Sequence, residues 1–151
     1  MSSAIYSGYF SPFTIGHSMV FENAIDIFDK VYLVIADNPA KSRCITAQTV
    51  YDGLMSYYGN IYSKEKFEVV IYNKGLIADL ARTLGVKYLV RGIRNTSDYL
   101  YEVNIAETNK MINNDLTTIY IQANSNISSS MVLELHRNGY DVSNMVPFKQ
   151  F

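Results

Sequence analysis

The sequence predicts a single α/β domain, residues 1–151, built on a Rossmann-like, doubly wound sheet of five parallel strands. Short apolar runs alternate with longer amphipathic runs in the order βαβαβαβαβα. Apolar residues make up 48% of the chain, and no repeat or Pro/Gly/Ser-rich linker divides it, so one core is expected. Right-handed crossovers between the parallel strands are consistent with the predicted strand order 3-2-1-4-5.

The first half of the chain is predicted to contain three strands and two helices. The run VYLVIA is almost entirely apolar, which is typical of a strand buried on both faces. The helix before it has apolar residues on one side, and the helix after it has Thr46 as its expected N-cap. In order, the elements are the strand Ala4–Tyr6, the helix Gly16–Phe28, the strand Val31–Ala36, the helix Thr46–Tyr58 and the strand Phe67–Tyr72.

The second half continues the alternation of helices and strands. Gly85 stands where a residue with positive φ commonly ends a helix, and Gly139 follows the last helix in the same way. Asp98 is the expected N-cap of the longest helix. In order, the elements are the helix Leu76–Leu84, the strand Tyr88–Val90, the helix Asp98–Ile112, the strand Thr117–Ile121 and the helix Ser128–Asn138.

Composition argues against several classes of function. A formal net charge of −1 and the lack of a basic stripe argue against nucleic acid binding. No apolar run approaches the roughly 20 residues that span a bilayer, so no membrane association is expected. The single cysteine, Cys44, cannot form an internal disulfide, and we interpret the chain as cytoplasmic. With one cysteine and two histidines, no protein-held metal site is predicted.

The first loop of the predicted sheet carries the first candidate site residues. In such sheets ligands bind beyond the carboxyl ends of the strands. Gly8 permits a tight turn after the first strand, and Gly16 and His17 open the next helix. The free N–H groups of that helix favour phosphate, and a ring N–H of His17 can donate to a phosphate oxygen. In isolation, a capping or core histidine is the alternative reading.

Three further loops fall at the same predicted edge. Arg91 and Arg94 flank Gly92 after the fourth strand, and guanidinium groups suit phosphate. Lys41 follows the second strand, and the serine-rich segment 124–130 follows the fifth. Each signal alone is also compatible with ordinary surface or capping residues, but their placement on one edge favours a polyphosphate site.

The motifs in these loops resemble those of a known superfamily. Thr14-Ile15-Gly16-His17 fits the T/HxGH signature of nucleotidyltransferases, and Ile127-Ser128-Ser129-Ser130 resembles their ISSS/T motif. Within that superfamily, the segment RGIRNTSDYLYEVNIAETNK, residues 91–110, is similar to the bacterial phosphopantetheine adenylyltransferases. The resemblance extends from Ala4 to about Pro147.

The resemblance implies an enzyme that joins ATP to 4′-phosphopantetheine, giving dephospho-CoA and pyrophosphate, with Mg²⁺ bound through the ATP phosphates. It implies catalytic roles for His17, Lys41, Arg91 and Arg94. The implied acceptor-binding residues are Tyr9, Lys41, Ile77 and Arg91. The implied ATP-binding residues are Gly8, Tyr9, Phe10, His17, Gly92, Ile93, Arg94, Glu102, Asn124, Ser125, Asn126, Ile127, Ser128, Ser129 and Ser130. Family members usually form hexamers, so a homo-oligomer is expected.

Two residues of the first loop depart from the GTFDP pattern of that family. Tyr9 stands in place of a threonine and Ser11 in place of an aspartate. The phenol of Tyr9 either points out of the site or narrows it, which leaves the acceptor open. Nicotinamide mononucleotide and glycerol phosphate are alternative acceptors, and a nucleotide-binding protein without catalytic activity is a further alternative. The chain also ends at Phe151, before the last helix of many members, and this could alter assembly.

Overall fold

The computed structural model describes residues 2–151, and it contains five strands and five helices in strict alternation. The sheet is parallel throughout, in the order β3-β2-β1-β4-β5, which confirms the predicted topology. The elements are β1 (Ser3–Gly8), α1 (Ile15–Ile27), β2 (Lys30–Ala36), α2 (Ala47–Gly59), β3 (Phe67–Tyr72), α3 (Ile77–Leu84), β4 (Tyr88–Ile93), α4 (Thr96–Ile112), β5 (Thr117–Gln122) and α5 (Ser129–Arg137).

Side chains on the two faces of the sheet belong to two separate apolar clusters. Because neighbouring residues of a strand point to opposite faces, Leu33 joins the cluster with α1 and α2, whereas Val34 joins the cluster with α3. Both side chains are fully buried. This two-sided burial explains why the central strand is an uninterrupted apolar run.

Three predicted element ends can be compared with the structure. Thr46 is the N-cap of α2 and accepts a hydrogen bond from the backbone N–H of Thr49, as predicted. Gly85 ends α3 with a φ of +70°, which confirms its expected left-handed conformation. The assignment of Asp98 as a cap is wrong, because Asn95 caps α4 and its side chain accepts from the N–H of Asp98.

Strand β4 is longer than the sequence predicts. It extends to Ile93, so Arg91 and Gly92 lie inside the strand and not in the loop after it. Gly92 pairs with Ile121 and Ile93 pairs with Gln122 of β5, and this added pairing carries the strand to the ligand-binding edge. None of the helices within residues 2–151 combines the length and the hydrophobicity that a membrane-spanning helix requires.

The last segment of the chain packs back onto the domain. Val142 and Val146 form a small apolar cluster with Val132 of α5. Further along, the ring of Phe148 stacks on that of Phe13 with a centroid separation of 6.1 Å. The C-terminal segment therefore contacts the loop between β1 and α1, which precedes His17.

Candidate active site

A cavity of about 410 Å³ lies at the carboxyl ends of β1 and β4, beside the start of α5. It brings the imidazole of His17 together with the guanidinium groups of Arg91 and Arg94, which lie far from His17 in the sequence. The predicted site residues that line it are Gly8, Tyr9, Phe10, His17, Arg91, Gly92, Arg94, Glu102, Ile127, Ser128, Ser129 and Ser130. Their individual roles remain predictions, but this edge of the sheet is the one that the topology favours for ligands.

His17 is held by the N-terminal turn of α1. Thr14 caps this helix, and its side chain accepts a hydrogen bond from the backbone N–H of His17. The backbone N–H of Thr14 in turn donates to Nδ1 of His17 at 3.0 Å. A backbone N–H can only donate, so Nδ1 must be the acceptor and a neutral ring carries its proton on Nε2. The geometry therefore leaves Nε2–H as the donor of this imidazole.

The environment of His17 keeps the imidazole neutral. Burial, together with the positive charges of Arg91 and Arg94, lowers the pKa of His17 from 6.5 to about 3. Desolvation and like charge both disfavour the imidazolium form. At neutral pH, His17 is thus a hydrogen-bond donor without a formal charge.

The lowered pKa of His17 predicts a pH dependence of stability. Below pH 6.5 the unfolded chain takes up a proton at His17, whereas the folded chain takes it up only near pH 3. The unfolded state then binds more protons, so the free energy of unfolding falls as the pH drops, by at most about 1.4 kcal/mol per pH unit from this group. Chemical denaturation between pH 7 and 4 should show a smaller decline for His17→Asn than for the wild type. Equal declines would contradict the neutral imidazole.

Arg91 and Glu102 form an ion pair in the cavity wall. Nε and Nη2 of Arg91 each donate to a carboxylate oxygen of Glu102 at 2.9 Å. Nη1 of Arg91 donates to the backbone oxygen and the hydroxyl of Ser7. A guanidinium group has five N–H donors, so one remains for a ligand. Only 8% of the Glu102 side chain is exposed, and both of its carboxylate oxygens accept from Arg91.

Arg94 is less constrained than Arg91. Its Nε donates to Asp98 at 3.1 Å, four residues later at the start of α4. Among the described residues, no hydrogen-bond partner is found for its two terminal nitrogens. Arg94 therefore retains a forked pair of donors, the arrangement that suits phosphate oxygens.

Two helix N-termini contribute backbone donors to the cavity. In α5 the hydroxyl of Ser128 accepts from the N–H of Met131, and no protein partner within residues 2–151 is found for the N–H groups of Ser129 and Ser130. The backbone N–H of Gly16, in the first turn of α1, likewise has no protein partner among the described residues. Free N–H groups at helix starts favour anions, so these three positions are suited to a polyphosphate.

Phe10 forms the apolar support beneath His17. Its ring lies edge-on to the imidazole, with a centroid separation of 4.9 Å. Gly8 makes room for this ring, because a Cβ at that position would lie 2.5 Å from Cε1 of Phe10. Phe10 itself has a φ of +51°, an uncommon conformation for a bulky residue. The loop thus accepts backbone strain where it places the ring against His17.

Tyr9 is joined to the loop after β2, an arrangement that the sequence did not anticipate. Its hydroxyl donates to the backbone oxygen of Ser42 at 2.8 Å, and the guanidinium carbon of Arg43 lies 4.2 Å from the centre of its ring. Arg43 also donates to the backbone oxygens of Tyr9, Ala36 and Ile45. Arg43 therefore connects the loop after β1 with the loop after β2. Neither of the orientations predicted for Tyr9 included this contact.

Several predicted site residues do not line the cavity. Lys41 lies on the exposed loop after β2, and its backbone N–H bonds to Asn38. Ile77 packs against the apolar cluster on the opposite face of the sheet, and Ile93 borders a separate groove. Ser125 accepts from the N–H of Ile127. The remaining two, Asn124 and Asn126, are exposed. The structure therefore places His17 and the two arginines at the cavity, but not Lys41.

Comparison with known proteins identifies the family. A family model described as cytidylyltransferase-like matches residues 5–135. The chain belongs to this cytidylyltransferase-like family. It is a nucleotidyltransferase, as the T/HxGH and ISSS motifs predicted.

Curated relatives of this nucleotidyltransferase cover nearly the whole chain. The phosphopantetheine adenylyltransferase of Cytophaga hutchinsonii is 34% identical over 149 residues, 97% of each chain. That of Lactobacillus johnsonii is 39% identical over 97% of this chain and 89% of its own length. That of Streptococcus pneumoniae is 37% identical over 95% of this chain and 88% of its own. The resemblance identified from the sequence is confirmed.

Solved structures confirm the fold of this family member. A putative nicotinate-nucleotide adenylyltransferase from Vibrio parahaemolyticus matches with a TM-score of 0.67 at 15% identity, covering 98% of this chain and 95% of its own. The nicotinic acid mononucleotide adenylyltransferase of Plasmodium falciparum, complexed with APC, matches with a TM-score of 0.67 at 16% identity, over 97% and 90% of the two chains. At these identities the likeness concerns the fold alone.

Proposed function

We propose that this nucleotidyltransferase transfers AMP from ATP to 4′-phosphopantetheine, giving dephospho-CoA and pyrophosphate in coenzyme A biosynthesis. Relatives that are 34%, 39% and 37% identical over nearly the full chain carry the name phosphopantetheine adenylyltransferase, which supports this acceptor. The single structural observation that carries the chemistry is the neutral His17, with Nε2–H as its donor, in one cavity with Arg91 and Arg94.

The cavity suits a reaction that needs positioning and positive charge. A phosphate nucleophile is already ionised at neutral pH, so no carboxylate base is required. The acceptor phosphate attacks the α-phosphorus of ATP in line, a new P–O bond forms, and the bond to the departing pyrophosphate breaks. His17 donates from Nε2 to the α-phosphate as charge redistributes. The terminal nitrogens of Arg94 and the N–H groups at the start of α5 hold the remaining phosphates.

Mg²⁺ is proposed to arrive with ATP, bound to its phosphate oxygens. The two carboxylates that line the cavity, Asp98 and Glu102, are both paired with arginines. Within residues 2–151, no group of three His, Cys, Asp or Glu side chains is arranged to hold a metal ion. This donor set fits a metal carried by the substrate, where it neutralises phosphate charge.

Lys41 is proposed to join the site when both substrates are bound. Its loop is tied at one end by Arg43, whereas the lysine itself is exposed. A long, flexible stem lets an ammonium group reach a phosphate from outside a cavity. Lys41→Ala should therefore affect turnover more than ATP binding.

Another phosphorylated acceptor is the second candidate, favoured by Tyr9 in the cavity lining. Pyrophosphate release with ATP should be measured for 4′-phosphopantetheine, nicotinamide mononucleotide and glycerol phosphate under identical conditions. The proposal predicts turnover with phosphopantetheine alone. Turnover with another acceptor and none with phosphopantetheine would overturn it.

Tyr9→Thr is expected to raise the KM for the acceptor about tenfold. The substitution removes one hydrogen bond to Ser42 and one cation–π contact with Arg43, together about 1.4 kcal/mol, and so loosens the loop that carries Lys41. Tyr9→Phe keeps the ring and should show a smaller increase. Steady-state kinetics with varied acceptor give the answer. A KM below that of the wild type would mean that the phenol obstructs the acceptor.

Assembly and location are inferred together with the activity. Helix α4 buries only Glu102 among its 17 residues, and Leu100 and Met111 are 61% and 87% exposed. Such an apolar surface suits contact with further copies of the chain. We infer a cytoplasmic homo-oligomer, hexameric by resemblance, and light scattering on the purified protein tests its size.

A further inference from the structure

The side chain of Gln150 is buried against the loop that precedes His17. Only 5% of Gln150 is exposed. Its Oε1 accepts a hydrogen bond from the backbone N–H of Phe13 at 2.8 Å, and its Nε2 donates to the backbone oxygen of Phe13 at 2.7 Å. The amide thus pairs with both backbone groups of one residue, 137 positions earlier in the chain, as a neighbouring strand would.

One peptide group connects Gln150 to His17. The carbonyl of Phe13 and the N–H of Thr14 belong to the same peptide unit, which is planar and resists rotation. The carbonyl end accepts from Gln150, and the N–H end donates to Nδ1 of His17 at 3.0 Å. Fixing one end of the plane therefore fixes the other. Successive hydrogen bonds of this kind also polarise one another, which strengthens the donation to Nδ1.

The surrounding packing holds the same loop from the same side. Phe148 stacks on Phe13 with an angle of 17° between the ring planes. The ring centroids of Phe13 and His17 are 5.3 Å apart. The backbone N–H of Ile15 donates to Met145. The segment 145–150 thus contacts the loop at Phe13, through Phe148 and Gln150, and contacts the first residue of α1 through Met145. Only the amide of Gln150 bonds to the peptide that orients the imidazole.

We infer that Gln150 is a positioning residue for His17. Through the peptide between Phe13 and Thr14, it keeps Nδ1 of His17 as an acceptor and so keeps the ring proton on Nε2, on the atom proposed to face the α-phosphate. The effect on turnover rests on the proposed function, whereas the position of the ring proton does not. The two can therefore be tested separately.

The test combines histidine nitrogen spectra with kinetics of the full chain. The sequence contains only two histidines, His17 and His136, so ¹⁵N–¹H correlation spectra of the ring nitrogens can be assigned with one variant, His136→Asn. Gln150→Met removes both hydrogen bonds at similar length. Gln150→Glu can still accept from Phe13 but places an acceptor opposite the carbonyl. Lys149→Met is the matched control, because the neighbouring Lys149 is exposed.

We expect the wild type and Lys149→Met to show His17 protonated on Nε2 alone. Gln150→Met and Gln150→Glu should show a mixture of the two neutral tautomers. Their kcat for pyrophosphate release should fall about tenfold or more with little change in KM, because the donor is misplaced and not lost. Thermal unfolding confirms that each variant is folded, and Gln150→Glu serves if Gln150→Met does not fold.

Distinct outcomes separate this inference from the proposed function. An unchanged His17 tautomer in both folded Gln150 variants would overturn the positioning role, even if kcat fell, because the segment would then act only as a structural support. If the Gln150 variants changed the His17 tautomer but the wild type released no pyrophosphate with any acceptor, the positioning role would be upheld and the proposed activity overturned.

Discussion

Replacing His17 by alanine is expected to lower kcat about 10²–10³-fold, with little change in the KM for ATP or for the acceptor. The loss follows from the geometry, because Nδ1 is occupied by the N–H of Thr14 and only Nε2–H remains to stabilise the transition state. Since the imidazole is neutral, the ground-state attraction for the triphosphate depends on other groups. Steady-state kinetics with both substrates varied in turn provide the measurement.

The control for His17→Ala is the same substitution at the other histidine. His136 lies in α5, where its ring stacks on Phe151, outside the cavity. His136→Ala should therefore keep kcat close to that of the wild type. If His17→Ala retained full activity in a folded protein, His17 would have no part in the chemistry. If both variants lost activity equally, the effect would reflect folding.

Arg91→Met is expected to affect stability as well as activity. Removing the guanidinium group leaves the carboxylate of Glu102 buried, with both of its oxygens without their present partner. Breaking a buried pair in this way typically costs about 3–5 kcal/mol, and loss of the positive charge beside the phosphates should reduce kcat/KM about 10²-fold. Chemical denaturation and steady-state kinetics measure the two effects on the same sample.

The double variant Arg91→Met, Glu102→Met separates the two effects. Replacing both partners by apolar side chains removes the unpaired carboxylate, so most of the lost stability should return. Activity should stay low, because the charge of Arg91 remains absent. Recovery of activity in the double variant would show that Arg91 serves only to neutralise Glu102. A single variant as stable as the wild type would show that the pair contributes nothing.

The sequence predicted the topology because strand burial and helix periodicity are local patterns. A strand such as Val31–Ala36 has to be apolar throughout when helices cover both faces, and right-handed crossovers leave few arrangements of five such strands. The same topology placed His17 and Arg94 at one edge of the sheet. Errors at the ends of elements arose where two residues compete, as at Asn95 and Asp98, either of which can cap a helix.

The contacts that fix the geometry of the site could not be predicted from the sequence. Arg43 binds the backbone carbonyl of Tyr9, 34 positions earlier, and Gln150 binds the backbone of Phe13, 137 positions earlier. A side chain that bonds to backbone far away in the chain leaves no periodic pattern in the sequence, and the residues next to it do not reveal the contact. The pair of Arg94 and Asp98 is close in the chain, but Arg94 lies before the N-cap of α4, so no helical spacing predicts it either.

The central claim is that one cavity holds the reacting phosphates against His17, Arg91 and Arg94. A crystal structure with Mg²⁺ and a non-hydrolysable ATP analogue, with 4′-phosphopantetheine added, tests it most directly. We predict the α-phosphate within hydrogen-bonding distance of Nε2 of His17 and the outer phosphates at Arg94 and the start of α5. A triphosphate bound elsewhere, with no phosphate near that nitrogen, would contradict the account.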